Sequence, residues 1–584
     1  MAGTERIILC GGTPAPSRAK QDDLLALDLN DPNPNVNLKI DNIQQRVSAQ
    51  IPDALADLME IATYVYSADQ AVTRGGDGVA AFGQNWRRKL SFHIPVRMPD
   101  VWSSPGVFDC LRDTLSFLSD DEYDFKFSKQ QNSVPIQRYF EYKGTAEHQD
   151  DVEEVLLFSG GLDSLGGAVR EAVCDRRRVA LVSHRSNPKT HCKQKHLVED
   201  LNGLCTHKPF HIPVWANKDK ALGKEYSQRT RSFLYASLAF AVARAYGLQR
   251  LRFYENGVVS LNLPISEQVI GARATRTTHP QVLNGFAKLF GEIIGSQFAV
   301  ENPFLRLTKG EVVDVIGDGG CADLIKHSAS CTHTIDQTKL HTHCGRCSQC
   351  ISRRFATLAS KYRDHDPAEM YKVDLLEGER EQGVDVTLVE SFIRTATDIK
   401  AANQYQLVER FGEISRVLRH VRPLTADEVA GRVVRLHRKH AEEVTGVMES
   451  ALASHSAQIL EEKLPTTCAI ILAFPGKYRT VPITNKQPEE TPRPPVILKR
   501  TKPEEQKNGP YSDRDHRVFG LVGQHTFTTL TNEEIEKRFR PKLRAIWGKR
   551  NHPSPNALRS CLNRIRHHHT IPLSETIHKK AVNN

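Results

Sequence analysis

This sequence predicts an α/β chain: a central, doubly wound parallel sheet, an N-terminal α+β domain and a mainly helical C-terminal region. Three observations carry that expectation. Strand-like and helix-like stretches alternate through residues 151–365, the pattern of a parallel sheet with helices on both faces. Near the start of this stretch, Val155-Leu-Leu-Phe breaks into Ser159-Gly160-Gly161-Leu162-Asp163-Ser164, and a helical pattern follows. Residues 385–475 read as mainly helical.

The elements follow in order. Residues 1–35 hold Pro14, Pro16, Pro32 and Pro34 among polar neighbours and are expected to be extended or mobile. Residues 36–150 read as a domain with no visible chemistry. Ile51 to Ser67 has helical apolar spacing, Lys89 to Val96 and Tyr123 to Phe127 alternate as strands, and Cys110 to Leu118 between them is helical. In the central stretch Val179 to Ser183 is a second strand, Thr230 to Tyr246 a long helix and Leu251 to Tyr254 a short strand. Thr308 with Glu311 predicts a capping box opening a helix. Beyond the helical region 366–478 lie a Pro-rich, charged linker, 479–510, and a basic helical module, 511–584.

Composition narrows the function classes. The net charge of +10 favours ATP, RNA or an acidic partner, although a solvated basic surface is the plainer reading. No apolar run approaches the ~20 residues of a membrane span, and the N-terminus lacks a secretory pattern. Twelve cysteines in 584 residues make no disulfide scaffold, and four cluster, which suggests metal in a reducing, cytoplasmic setting.

The turn at 159–164 has the chemistry of an anion site. Gly160 and Gly161 let the backbone approach a ligand, and N–H groups at a helix start favour phosphate. Ser159 and Ser164 add hydroxyls, and Asp163 offers a carboxylate to Mg²⁺. No Lys follows the glycines, so this is no Walker loop. An ordinary Gly-rich strand-to-helix turn is the bland alternative. Residues 331–350 carry Cys331, Cys344, Cys347 and Cys350. A tight knuckle can aim the last three at one tetrahedral Zn²⁺, and Cys331 can close the shell. His333, His341 and His343 are rival ligands, and reduced or redox thiols are the alternative.

The Ser-Gly-Gly-x-Asp-Ser turn resembles the PP-loop of ATP pyrophosphatases. Together with the cysteine pattern it resembles the 7-cyano-7-deazaguanine synthases, the QueC family. The likeness spans about residues 154–360. Arg231-Ser-Phe-Leu, Pro303-Phe-Leu-Arg-Leu-Thr-Lys-Gly-Glu and Arg353-Arg354-Phe-Ala resemble further family segments. The resemblance implies a Rossmann-type, HUP-like domain that binds ATP, Mg²⁺ and Zn²⁺. It also implies a reaction in which the carboxylate of 7-carboxy-7-deazaguanine attacks the α-phosphate of ATP, and an amine then displaces AMP. Asp163, Ser159 and Ser164 become the catalytic candidates. Ser183 and His184, ending the second strand, would meet adenosine. Arg231 would neutralise a phosphate, with a surface salt bridge as the alternative.

The chain also departs from the family. Where synthases carry Asp-Tyr-Ser-Gly-Tyr-Pro-Asp-Cys-Arg, it reads Glu255-Asn256-Gly-Val-Val-Ser and then Gly271-Ala-Arg-Ala-Thr-Arg-Thr-Thr-His-Pro. Glu255 and Asn256 are candidates for a base edge, and Arg273, Arg276 and His279 for a carboxylate or phosphate, against solvated loop residues. The large flanks resemble the enlarged QueC-like proteins of bacterial anti-phage systems, such as the QatC component of Qat operons. That likeness implies a partner protein from the same operon as the amine acceptor. Three alternatives stand beside it: a nitrile-forming synthase using ammonia, a nucleic-acid modification enzyme, and a non-catalytic ATP-binding assembly subunit.

Overall fold

The computed structural model describes residues 5–473 apart from 18, 30–32, 42–50, 75–86, 132–134, 136–138, 142–150, 186–187, 226–227, 265–275, 334–336, 339 and 422. The chain divides into two compact units, Met1–Val481 and Pro482–Asn584, and every described residue belongs to the first. The expected linker and basic module, and Arg273, lie outside the described residues.

Eleven described strands form two sheets. They are β1 (Glu5–Cys10), β2 (Leu24–Leu27), β3 (Val36–Asp41), β4 (Lys89–Val96), β5 (Glu122–Lys129), β6 (Phe140–Glu141), β7 (Glu154–Leu157), β8 (Val179–His184), β9 (Phe210–Lys218), β10 (Arg250–Arg252) and β11 (Ala299–Glu301). The first sheet has the order β2-β1-β4-β5 and is parallel throughout. The second has the order β11-β10-β7-β8-β9-β3-β6. Its β11-to-β9 stretch is parallel, and β3 joins β9 antiparallel. The molecule is thus α/β.

Two expectations about the N-terminal part are corrected. The first 35 residues supply β1 and β2 rather than only extended chain. Residues 36–150 are not α+β, because β4 and β5 pair in parallel, and β3 and β6 complete the central sheet. One apolar core runs from Ile8, Phe92 and Ile94 to Val155, Val182 and Phe240, so no core boundary falls at residue 150. Helix Asp53–Ala71 explains the continuity: 17 of its 19 residues are buried. It packs on both β2 and the helix Arg231–Ala245. A helix buried on all sides, its carboxylates Asp57, Glu60 and Asp69 paired with Arg97 and Arg88, belongs in a shared interior rather than on the surface of a separate domain.

The central sheet is covered on both faces, as period-2 burial requires. Val155, Leu157, Ala180 and Val182 of β7 and β8 enter the core shared with helix Arg231–Ala245. The residues between them, Leu156, Val179 and Leu181, enter a second core, with Phe158 just past β7. Helices Leu162–Ala168 and Lys309–Asp318 line that core. Chain order sets the site. From β7 the chain runs outward through β8 to β9, then returns to β10 on the other side of β7. The carboxyl ends of β7 and β10 therefore flank the switch point, where open parallel sheets bind ligands. Helices Val384–Ala401 and Ala426–Ser454 close a third core over Ile351 and Phe355. No helix among the described residues is long and apolar enough to cross a membrane.

Candidate functional site

The turn at the end of β7 is built from its own hydroxyls. Gly160 sits at φ +82°, a conformation that side chains rarely adopt. Ser164 Oγ accepts from the backbone N–H of Ser159 and of Gly160, each at 3.2 Å, and Ser159 Oγ accepts from Gly161 N–H at 3.3 Å. These bonds lie beyond the usual 2.9–3.0 Å. Three N–H groups thus face two serine hydroxyls over the start of helix Leu162–Ala168. A phosphate oxygen is a stronger acceptor at that place than a serine hydroxyl. Ser330 Oγ, buried and without a partner among the described residues, lies 3.8 Å from where a Cβ on Gly161 would stand. Leu162, also assigned to the ligand by its position in the turn, is instead a fully buried core residue.

Asp163 is the junction of three strand ends. Its Oδ1 accepts from Asn256 N at 3.1 Å and from Asn256 Nδ2 at 2.9 Å, and Asn256 lies just past β10. Its Oδ2 faces Lys309 Nζ at 2.7 Å. Lys309 opens the helix that follows β11. The capping box is present as expected: Thr308 Oγ1 accepts from Glu311 N, and a Glu311 carboxylate oxygen accepts from Thr308 N. It fixes the first turn of that helix and so the position of Lys309. Both Asp163 oxygens are engaged, and an ammonium stands where Mg²⁺ was expected. The Mg²⁺ assignment does not fit this arrangement.

The remaining candidates separate into two groups. Glu255 stays at the site. Thr278 Oγ1 donates to it, and burial, reinforced by the Asp163 charge, raises its carboxyl above the usual range. Asn256 does not offer a free edge to a base. Its Oδ1 caps helix Gly257–Leu261 and its amide holds Asp163. Arg231 lies exposed over the Tyr235 ring at 5.7 Å and makes no ion pair among the described residues. The others are structural. Ser183 and His184 are buried because β8 is central in the sheet and covered on both faces. Ser183 Oγ meets His211 Nε2 at 2.6 Å, and His184 Nε2 donates to Ala216 O at 2.7 Å. Tyr66 and Tyr235 meet the His184 ring edge-on, and burial lowers its pKa to about 4. Arg276 reaches away to Phe117 O at 2.7 Å, its guanidinium over the Phe117 ring. His279 is 5% exposed, and its Nδ1 accepts from Gln281 N as the cap of helix Pro280–Ile294.

The cysteine cluster is closed. Among the described residues, Cys331, Cys344, Cys347 and Cys350 are grouped so that their sulfur atoms lie within 4.8 Å of one another, all buried. Gly345, at φ +75°, turns the knuckle. Arg346 N–H and Cys347 N–H each point at Cys344 Sγ, 3.4 Å away, which favours a thiolate. Four soft donors at this separation fit Zn²⁺, with no position left for a water. None of the three rival histidines belongs to this group, and the His343 ring stacks on Tyr371.

The cluster and the turn are mechanically joined. Arg353, wholly buried, donates to Ser328 O, Ser328 Oγ and Ile325 O, and pairs with Asp366 at 2.7 Å. One residue on, Ala329 N donates to Gly160 O at 2.8 Å. Cys331 is two residues further. A metal held at the cluster would therefore pin the strip 328–331 against the turn. Lys309, Ser330, Thr278 and Gln194, whose Nε2 donates to Ser159 O, are site residues that motif reading missed. The Thr-Lys-Gly after the last parallel strand was the available signal for Lys309. No family model and no curated protein matches the chain.

Proposed function

We propose that the chain is an ATP-dependent enzyme that adenylates the carboxylate of a 7-deazaguanine and passes the acyl group to an amine of a partner protein. One observation carries the reading: at the switch point three strand ends converge on Asp163 and set the Lys309 ammonium beside a turn of backbone N–H groups and serine hydroxyls. That arrangement suits a polyphosphate whose charge grows as a bond breaks.

The substrate carboxylate attacks the α-phosphorus, the bond from the α-phosphorus to the bridging oxygen breaks, and pyrophosphate leaves. The turn N–H groups with Ser159, Ser164 and Ser330 receive the departing oxygens, and Lys309 balances their charge. Asp163 positions Lys309. Arg231 adds a cation at the rim. The amine then attacks the acyl carbon, AMP departs, and Glu255, with its raised carboxyl, takes the amine proton. Cys331, Cys344, Cys347 and Cys350 would hold Zn²⁺, which would supply a cross-link and no chemistry. The turn and the cluster support the site chemistry, and the likeness to the enlarged anti-phage proteins supports the partner-protein acceptor.

The test combines the full chain with ATP, 7-carboxy-7-deazaguanine and each candidate operon partner. Pyrophosphate release and a partner mass gain equal to the acyl group are expected, and both are lost in Asp163→Asn. Pyrophosphate release with ammonia and free nitrile as the product would favour the synthase reading. No release with any acceptor sinks both. The nucleic-acid reading rests on the basic module, outside the described residues, and calls for tRNA binding that weakens steeply with salt.

A further inference from the structure

Among the described residues the two sheets present four edges, and three of them are short. β2 has four residues, β11 three and β6 two. Folded chains keep edges short because a row of unpaired N–H and C=O groups is a template for a further strand. The fourth edge, β5, runs for eight residues. Its whole length pairs in parallel with β4 on one side, and no described strand lies on the other. Glu122 N donates to Arg88 O at 2.8 Å and Gln130 N to Val96 O at 2.9 Å. The even-numbered residues between them face β4 in the same way, so the backbone groups of Tyr123, Phe125 and Phe127 point away from it. No backbone group of a described loop, turn or cap bonds to those groups. Nothing in the proposed adenylation chemistry uses this strand.

The side chains decide what fits. Tyr123, Phe125 and Phe127 turn to the core, where Phe125 stacks on Phe92 with ring centroids 5.4 Å apart and Phe127 lies 5.8 Å from Trp102. Glu122, Asp124, Lys126 and Ser128 stand on the opposite face, Asp124 half-buried and the others exposed. Ser91 Oγ donates to Asp124 at 3.4 Å, and neither Asp124 nor Lys126 is ion-paired to a described residue. A row of like charges would repel a second copy of the strand. This row carries one charge of each sign, placed evenly about Phe125. A second β5 turned antiparallel about a two-fold axis at Phe125 sets each Asp124 opposite Lys126 of the other copy. The same register sets Phe125 opposite itself and Tyr123 opposite Phe127 as hydrogen-bonded pairs, and these are the residues whose backbone groups point outward. Asp124 and Lys126 then form the pairs without hydrogen bonds, in which facing side chains come closest. A slip of two residues either way sets Asp124 opposite Asp124 or Lys126 opposite Lys126. A slip of one turns the aromatic rings onto the wrong face. Backbone and charge thus select one register independently.

We infer that β5 is a dimerisation edge: two copies of the chain pair their β5 strands antiparallel about Phe125 and join their N-terminal sheets into one. Sedimentation of the full chain over a range of concentrations tests it, and a reversible equilibrium between monomer and dimer is expected. Lys126→Asp and Asp124→Lys each set like charges opposite one another at two places in the dimer, so each should weaken association by about tenfold. When the two variants are mixed, every facing pair is again of opposite sign. The mixture should therefore pair as tightly as the unaltered chain, and so should the chain carrying both substitutions. Recovery on mixing also shows that neither variant has misfolded. Three results would overturn the inference. The first is an unaltered chain that stays monomeric up to submillimolar concentration. The second is a dimer that neither variant weakens, which would put the contact elsewhere, the Pro482–Asn584 unit included. The third is a weakened dimer that neither mixing nor the double substitution recovers.

Discussion

The serine–glycine turn at 159–164 and the cysteine cluster at 331–350 are joined through Ser328 and Ala329, yet they are built on opposite terms. In the turn, Ser159 is exposed, Asp163 is half-buried, and the N–H groups are held by hydroxyls at 3.2–3.3 Å. A phosphate of the proposed nucleotide would exchange those weak bonds for stronger ones. In the cluster all four sulfurs are buried and converge on one point, and the Arg353–Asp366 pair beside them is fully enclosed. The difference teaches how to sort residues. Groups whose partners can be replaced serve a ligand, and groups whose partners cannot be replaced without opening the core serve the fold.

The largest effect expected is on the closed side. Purified chain should carry one zinc. Cys344→Ala, or a strong chelator, should remove it and with it the cooperative unfolding of the chain around the cluster and the turn. Zinc binding by small Cys/His sites is worth about 10–16 kcal/mol and is largely folding free energy. Metal analysis with a melting curve checks this, and a chelated chain that melts unchanged would erase the contrast. Next, Arg353→Met takes the nearest cation from the buried Asp366 carboxylate and leaves it Arg354 at 3.5 Å and the Thr357 and Tyr371 hydroxyls, at a cost of about 3 kcal/mol. Denaturant unfolding with zinc bound measures it. On the open side, Lys309→Met should lower kcat/KM for ATP-dependent pyrophosphate release by about 10²–10³. Its cost to the fold should be about 1–3 kcal/mol, from the Asp163 oxygen left without its partner. If Lys309→Met unfolded the chain as the cysteine variant should, the turn would belong with the cluster and the contrast would fail.

Much of this was legible in the residues, for physical reasons. The Ser-Gly-Gly-Leu-Asp-Ser turn, the Cys spacing and the Thr308–Glu311 box are local, so their geometry follows from neighbours within a few positions. The helix expected at Ile51 to Ser67 and the strand at Val179 to Ser183 occur within a few residues of those limits, because apolar periodicity survives any tertiary setting. What was missed is non-local. Lys309 meets Asp163 only because β11 and β7 belong to one sheet. The parallel pairing of β4 with β5, and the capture of β3 by β9, depend on partners far along the chain. His184 reads as a ligand group because it ends a strand, and Arg276 and His279 because they lie where the resembling synthases carry their substrate segment. Burial on β8 and attachment to Phe117 gave two of them other work.

His279 gives the finest test of the sorting rule, because its place in the sequence and its place in the structure assign it to different sides. Burial holds its pKa near 3, below the ordinary value of 6.5, and its neutral Nδ1 accepts the Gln281 N–H. The unfolded chain takes up a proton below about pH 6.5, and the folded chain does not until about pH 3. Its contribution is therefore complete above pH 6.5 and is lost as pH falls toward 3, by about 1.4 kcal/mol per pH unit. Between pH 7 and 5 that comes to about 2 kcal/mol. His184, held near pH 4 by its own burial, acts in the same sense. His279→Asn keeps a capping oxygen and cannot protonate. It should flatten the loss of stability between pH 7 and 5 while leaving the KM for the deazaguanine unchanged. A tenfold rise in that KM with an unaltered pH profile would move His279 to the open side, and show that a buried cap can also hold a substrate carboxylate.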